Sequence, residues 1–190
     1  MILESIFIAV NNKKVNDSLS DYLKRNGYDV FVYTHSNALL KDLRLRKTDL
    51  LIVDDELKGL AILDFVHMVH QEKIAPVILI QNKARTNYVD WIQKGWIYSI
   101  AHNHMSLTEW DTLVKGAIYS GDRIRRLEQK VLKLQKSLEE RKVIEKAKGM
   151  LMEKKSWSEQ AAYEYIRKSS MDHKVTMEQF SKAVLRKLEE

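Results

Sequence analysis

Few side chains in this sequence could do chemistry, and most of them are carboxylates or cations. Asp54, Asp55 and Glu56 follow directly on the apolar run Leu50–Val53, and three successive carboxylates could gather a divalent ion. An exposed acidic loop is the plainer expectation for them. His67 and His70 are spaced to share a helix face, and His102 and His104 could chelate from one loop, but neither pair has further ligands beside it. With no cysteine, a thiolate metal site and a disulfide framework are both excluded. No glycine-rich phosphate loop, dinucleotide turn or Ser-His-acid order is present. The expectation is therefore a protein that is not an enzyme and holds neither metal nor cofactor. A second group is cationic. Lys148, Arg167, Lys168 and Lys174 fall near the ends of expected helices, where they could meet phosphates or stack on splayed bases. Arg167 is the strongest of the four, because a planar guanidinium can pair bidentately and also stack.

The charge is unevenly placed. Residues 123–190 hold 18 Lys/Arg against 11 Asp/Glu, a balance of +7, while residues 1–122 hold 14 against 15, so the whole net charge of +6 comes from the C-terminal third. Such asymmetry points to an acidic partner, nucleic acid before an anionic membrane surface. The apolar stretch from Met1 to Val10 contains Glu4 and is far too short to span a bilayer. No signal peptide is read there, and a soluble cytoplasmic protein is expected.

The elements that would position these residues change character along the chain. Through about residue 105, short Val/Ile-rich runs alternate with amphipathic segments. The runs Ser5–Val10, Asp29–Tyr33, Asp49–Val53, Pro76–Ile80 and Ile97–Ala101 read as strands buried on both faces. Between them lie helical patterns such as Val15, Leu19, Tyr22 and Leu23, or Ile62, Phe65, Val66 and Val69, with Asn26-Gly27 and Gly95 as helix stops. This order predicts an α/β fold, a five-stranded parallel, flavodoxin-like sheet wrapped by helices. From Ser106 onward only helices are expected. Ser106–Glu109 and Thr176–Gln179 are capping boxes, and Ser158 is an N-cap. Ile124, Leu127, Val131, Leu134 and Leu138 alternate spacings of three and four among Arg, Lys, Glu and Gln, which predicts a coiled-coil dimer seam. Gly121 just before it suggests a bend.

The run Val143-Ile-Glu-Lys-Ala-Lys-Gly-Met-Leu-Met-Glu-Lys-Lys155, then Ser158-Glu-Gln-Ala-Ala-Tyr163 and Ile166-Arg-Lys-Ser-Ser-Met171, closely resembles the ANTAR family. The resemblance implies a three-helix module that binds paired hairpins in a nascent transcript and keeps a terminator from forming. The positions it carries over are Ala147, Lys148, Gly149, Leu151, Met152, Glu159, Ala162, Tyr163, Arg167, Ser170 and Met171. Of these, Ala147, Leu151, Ala162, Tyr163 and Met171, with Ile166, are expected in the core. Lys148, Gly149, Arg167, Lys168, Ser170 and Lys174 are expected to meet RNA. Gly149 costs a helix about 1 kcal/mol against alanine, so a close approach by another helix or by RNA backbone is expected there.

The N-terminal half resembles a response-regulator receiver, mainly in architecture. The resemblance places a phosphoacceptor at Asp54, yet the acid pair after the first strand is Asn11 and Asn12. The hydroxyl residue after the fourth strand is Gln81, and the lysine-proline pair after the fifth is His102-Asn103. Two amides bind magnesium far more weakly than two carboxylates, so a pseudo-receiver without phosphorylation is expected. Its surface near Trp91, Trp96 and Tyr98 would meet a regulatory protein partner. The expected plan is a receiver-like domain over 1–122, a coiled-coil dimerisation helix over 123–142 and an RNA-binding module over 143–190, in a homodimer. The alternatives are a response regulator still phosphorylated at Asp54 and a DNA-binding regulator.

Overall fold

The computed structural model describes residues 3–82 and 87–189. The chain divides into two compact units, residues 1–125 and 126–190. In the first, strands β1 (Ser5–Ala9), β2 (Asp29–Val32), β3 (Leu50–Asp54), β4 (Val77–Ile80) and β5 (Ser99–Ala101) form one parallel sheet in the order β2-β1-β3-β4-β5. The expected flavodoxin-like sheet is the one observed, with four strands trimmed by one or two residues and β3 shifted by one to end on Asp54. Helices α1 (Lys13–Arg25), α2 (Ser36–Leu45), α3 (Ile62–Gln71) and α4 (Val89–Gln93) connect the strands.

The period of two along each strand divides the core. Ile6, Ile8, Leu50, Ile52, Ile78 and Ile80 face α1 and the start of α5, where Leu19, Leu23, Trp110, Val114 and Ile118 are buried. Phe7, Leu51, Val53, Val77 and Leu79 face α2 and α3, meeting Leu39, Leu43, Phe65, Val66 and Val69. A strand with helices on both faces has no polar side, which is why these runs are continuously apolar.

Helix α5 (Leu107–Lys155) runs for 49 residues without a break. It opens on the expected capping box, where Ser106 N–H donates to Glu109 Oε2 at 2.7 Å. The helix is continuous through Gly121. A Cβ there would stand 3.0 Å from Pro76 Cγ and Cδ, so the glycine serves a close approach. Arg125 ties this part of the helix down, its Nη2 lying 3.1 Å from Asp49 Oδ1 and 2.5 Å from Asp122 Oδ1. Burial pushes the Asp49 carboxyl up, but the Ser5 N–H, Lys47 and Arg125 more than reverse this and hold it below its ordinary value.

In the second unit, the end of α5 packs with α6 (Glu159–Asp172) and α7 (Met177–Glu189) around Ala147, Leu151, Ala162, Ile166 and Leu185. Ser158 Oγ accepts from Ala161 N–H at 3.2 Å, and Thr176 with Gln179 closes the second box at 3.0 and 3.1 Å. Tyr163 and Met171, expected in this core, are 44% and 67% exposed. The inward stripe of α6 runs through Ala162, Ile166 and Ser170, which leaves Tyr163 on its flank and Met171 outside. Ile124, Leu127, Val131, Leu134 and Leu138 are all exposed, and so is Leu132, which stands off their spacing.

Candidate nucleic-acid interface and the amide-filled receiver site

Asp54 closes β3 and is buried, as is Asp55, so the exposed acidic loop expected here is not formed; only Glu56 is exposed. Both oxygens of Asp54 are engaged. Oδ1 accepts from Glu56 N–H at 2.9 Å and from the Asn82 amide at 2.6 Å, and Oδ2 accepts from Asn11 N–H at 3.1 Å. Asn82 Oδ1 in turn accepts from the Asn103 amide at 2.5 Å. Asp55 is held by Asn82 N–H at 3.1 Å and by the Tyr88 hydroxyl at 3.0 Å.

The two amides that stand where acids were sought have other work. Asn12 is the N-cap of α1, its Oδ1 accepting from Lys14 and Val15 N–H at 3.1 and 3.3 Å, and Asn11 Nδ2 donates to Glu56 O at 2.8 Å. A hydrogen-bonded amide chain thus runs from Asn103 through Asn82 to Asp54. Sequence reasoning picked Gln81 and His102-Asn103 at these loops and missed Asn82. Its neighbour follows the strand directly, but it is Asn82 whose side chain reaches Asp54. Among the described residues no group of three His, Asp or Glu could hold a metal ion, and His102 and His104 are stacked at 5.5 Å rather than convergent on one point.

In the second unit the cations separate into paired and unpaired. Lys148 Nζ lies 2.7 Å from Glu145 Oε2 and 2.7 Å from Glu159 Oε1, and the residue is only 8% exposed. Its two hydrogen-bonded glutamates raise its pKa and Lys148 lowers that of Glu159, so this cation holds α6 on α5. Ser170 is buried, with its hydroxyl donating to Arg167 O at 2.8 Å. Both residues were expected at the nucleic-acid surface; instead Ser170 falls on the buried stripe of α6, and Lys148 is covered, with its ammonium between two glutamates. Arg167, Lys168 and Lys174 are exposed, and among the described residues no ion pair or hydrogen bond engages their side chains. Lys174 holds left-handed backbone, φ 54°, in the turn after α6, which costs a non-glycine residue about 1 kcal/mol. At Gly149 a Cβ would meet nothing within 4 Å, so no helix of this chain approaches it. The expected close approach within the fold is thereby ruled out.

No helix of the described residues is long and apolar enough to cross a membrane. Residues 132–185 match the family model described as the ANTAR domain. The chain is 24% identical over 184 residues to the transcriptional regulatory protein PdtaR of Mycobacterium tuberculosis, covering 96% of this chain and 90% of that protein. The signal receiver domain of an HD domain-containing protein from Pseudomonas fluorescens Pf-5 shares the fold with a TM-score of 0.60 at 17% identity, over 66% of this chain and 94% of its own. The response regulator StyR aligns with a TM-score of 0.67 at 10% identity, over 98% of this chain and 100% of its own. Residues 1–125 therefore carry a receiver-type fold, and residues 132–185, which include the Ala-Lys-Gly run at 147–149, match the ANTAR domain model.

Proposed function

We propose that the chain is a cytoplasmic RNA-binding regulator of transcription antitermination. It acts as a homodimer through the seam Ile124, Leu127, Val131, Leu134 and Leu138, and binds paired hairpins in a nascent leader transcript. The observation that carries this reading is the ANTAR match over residues 132–185, in the third of the chain that holds all the net positive charge. The similarity to a transcriptional regulatory protein along nearly the whole chain agrees with it. Of the cations singled out in the sequence, Arg167, Lys168 and Lys174 are the ones left exposed for phosphates and bases. Lys148, Gly149 and Ser170 enter differently: Lys148 links α5 to α6 through Glu159, Ser170 lies buried with its hydroxyl on Arg167 O, and Gly149 leaves its surface open.

The receiver-like domain would then act through contacts rather than phosphoryl transfer, with Trp91, Trp96 and Tyr98 near a regulatory partner. The amide chain around Asp54 favours this over phosphorylation, since a carboxylate already accepting three hydrogen bonds is a poor nucleophile and the residues after β1 are the amides Asn11 and Asn12 rather than acids. The test is selection by the full-length chain from a library of two tandem RNA hairpins with randomised loops. Enriched RNAs should bind more tightly than loop-scrambled versions or duplex DNA of equal length. Equal binding to all three would reduce the interaction to generic polyanion attraction.

A further inference from the structure

Among the described residues 126–189, Tyr163 is the one aromatic side chain without a ring partner. Trp157 lies against Tyr165 with centroids 5.1 Å apart, Tyr165 against Phe180 at 5.8 Å, and His173 against Phe180 at 5.8 Å. These rings complete the packing on the α7 side of α6. Tyr163 has no such contact and is 44% exposed. One turn on is Arg167, with an unengaged guanidinium, and one turn further is Met171, 67% exposed. A spacing of four residues sets the three in a row along one side of the helix. Glu159, one turn before Tyr163, is bonded to Lys148 of α5. Gly149 meets open space, and Met152 is 37% exposed.

Nothing in the fold needs an aromatic ring at Tyr163 or a planar cation at Arg167. We propose that Tyr163 and Arg167 together hold a single unpaired RNA base, the phenol ring stacking on its face and the guanidinium reaching its edge, with the exposed Met171 one turn beyond Arg167. The proposal rests on the RNA-binding reading above and assigns loop discrimination to these residues, leaving Lys168 and Lys174 to phosphates. The chemistry follows from what each group offers. Every base presents a π-face, so an exposed ring stacks on it whatever its identity, while hydrogen bonds from the guanidinium fork depend on which acceptors the base edge carries.

The test is a cycle between protein and RNA, using the full-length chain and the RNAs enriched from the tandem-hairpin library. Each loop base is replaced in turn by an abasic site. With the wild-type chain, one abasic position should cost affinity on the order of tenfold. Tyr163→Leu should lower affinity for the intact RNA by a similar factor, and the abasic substitution should then cost nothing more. Tyr163→Phe, which keeps the ring, should keep wild-type affinity. Arg167→Lys keeps the charge and loses the fork, so it should weaken discrimination between loop sequences while leaving the salt dependence unchanged. It runs the same cycle at an exposed position should Tyr163→Leu lose helicity by circular dichroism. Additive losses, with every abasic position as costly in the variants as in the wild type, would overturn the proposal while leaving the chain an RNA-binding protein. Failure to enrich any RNA would instead overturn the RNA-binding reading, and this proposal with it.

Discussion

At Asp54 both carboxylate oxygens are already engaged, by Asn82, Asn11 N–H and Glu56 N–H, and the residue is 1% exposed. Asp54→Asn would set an amide against donors that now meet a charge. Urea unfolding should show a loss of about 1–3 kcal/mol, since those donors would be left badly satisfied in the interior. Binding to the selected RNAs should be unchanged, and wild-type chain treated with acetyl phosphate and magnesium should show no phosphate adduct by intact mass. A stable adduct would revive Asp54 as a phosphoacceptor. The pair of Asp49 with Arg125 makes a separate prediction. The Asp49 carboxyl titrates below its ordinary value when folded, so its contribution is fully present above the unfolded pKa and is lost as pH falls through the folded one. The urea midpoint of the wild type should therefore drop through the acidic range below the ordinary carboxylate pKa, and Asp49→Asn should flatten that part of the curve. Parallel curves for the two would remove Asp49 as its source. Asn82 shows what is illegible at this scale: nothing local marks it, because its partner is 28 residues away.

Of the three glycines in helix α5, Gly149 and Gly121 should respond differently to substitution. Gly149 is interior to the helix with open space where its Cβ would be, so Gly149→Ala should raise stability by about 0.5–1 kcal/mol through helix propensity. Gly121→Ala gains the same propensity but pushes a methyl to 3.0 Å from Pro76, so thermal melting should show no comparable gain. An equal rise for both would mean that the Pro76 contact relaxes at no cost. The seam belongs to this scale as well. Five apolar residues 50–65% exposed at coiled-coil spacing make a narrow stripe between polar flanks. Replacing Val131 with Asp and Leu134 with Lys should convert the proposed dimer to a monomer by light scattering. A dimer that survives would place the self-association elsewhere.

For the whole molecule, the charge asymmetry and the proposed dimer combine. Two tethered ANTAR domains should bind a two-hairpin RNA more tightly than a single hairpin, because the second contact forms at the high effective concentration set by the first. The gain could reach ~10²-fold or more. Affinity should fall steeply with salt as phosphate counterions are released, and Lys168→Ala should weaken all RNAs alike while reducing the salt slope. Mobility shifts across a salt series check both. Loss of the two-hairpin advantage in the Val131/Leu134 variant would tie the avidity to the seam.

The alternation of apolar runs with helical stripes in residues 1–105, the capping residues Asn26-Gly27, Ser106, Ser158 and Thr176, and the change of texture at Ser106 were all readable from the sequence. Each is written within a few residues by backbone geometry: period two, period 3.6, and the unpaired N–H groups of a helix start. The ANTAR run was readable for the same reason, being contiguous. Tertiary structure decided which polar groups meet. Asn82 rather than Gln81 faces Asp54, Lys148 is bound between Glu145 and Glu159, and Ser170 turns inward, while Tyr163 and Met171 turn out of the core they resembled. A flank position on an amphipathic helix lies one residue, about 100° of rotation, from an inward one. Which side of that boundary a side chain falls on depends on where the neighbouring helices pack, and only the folded chain sets that.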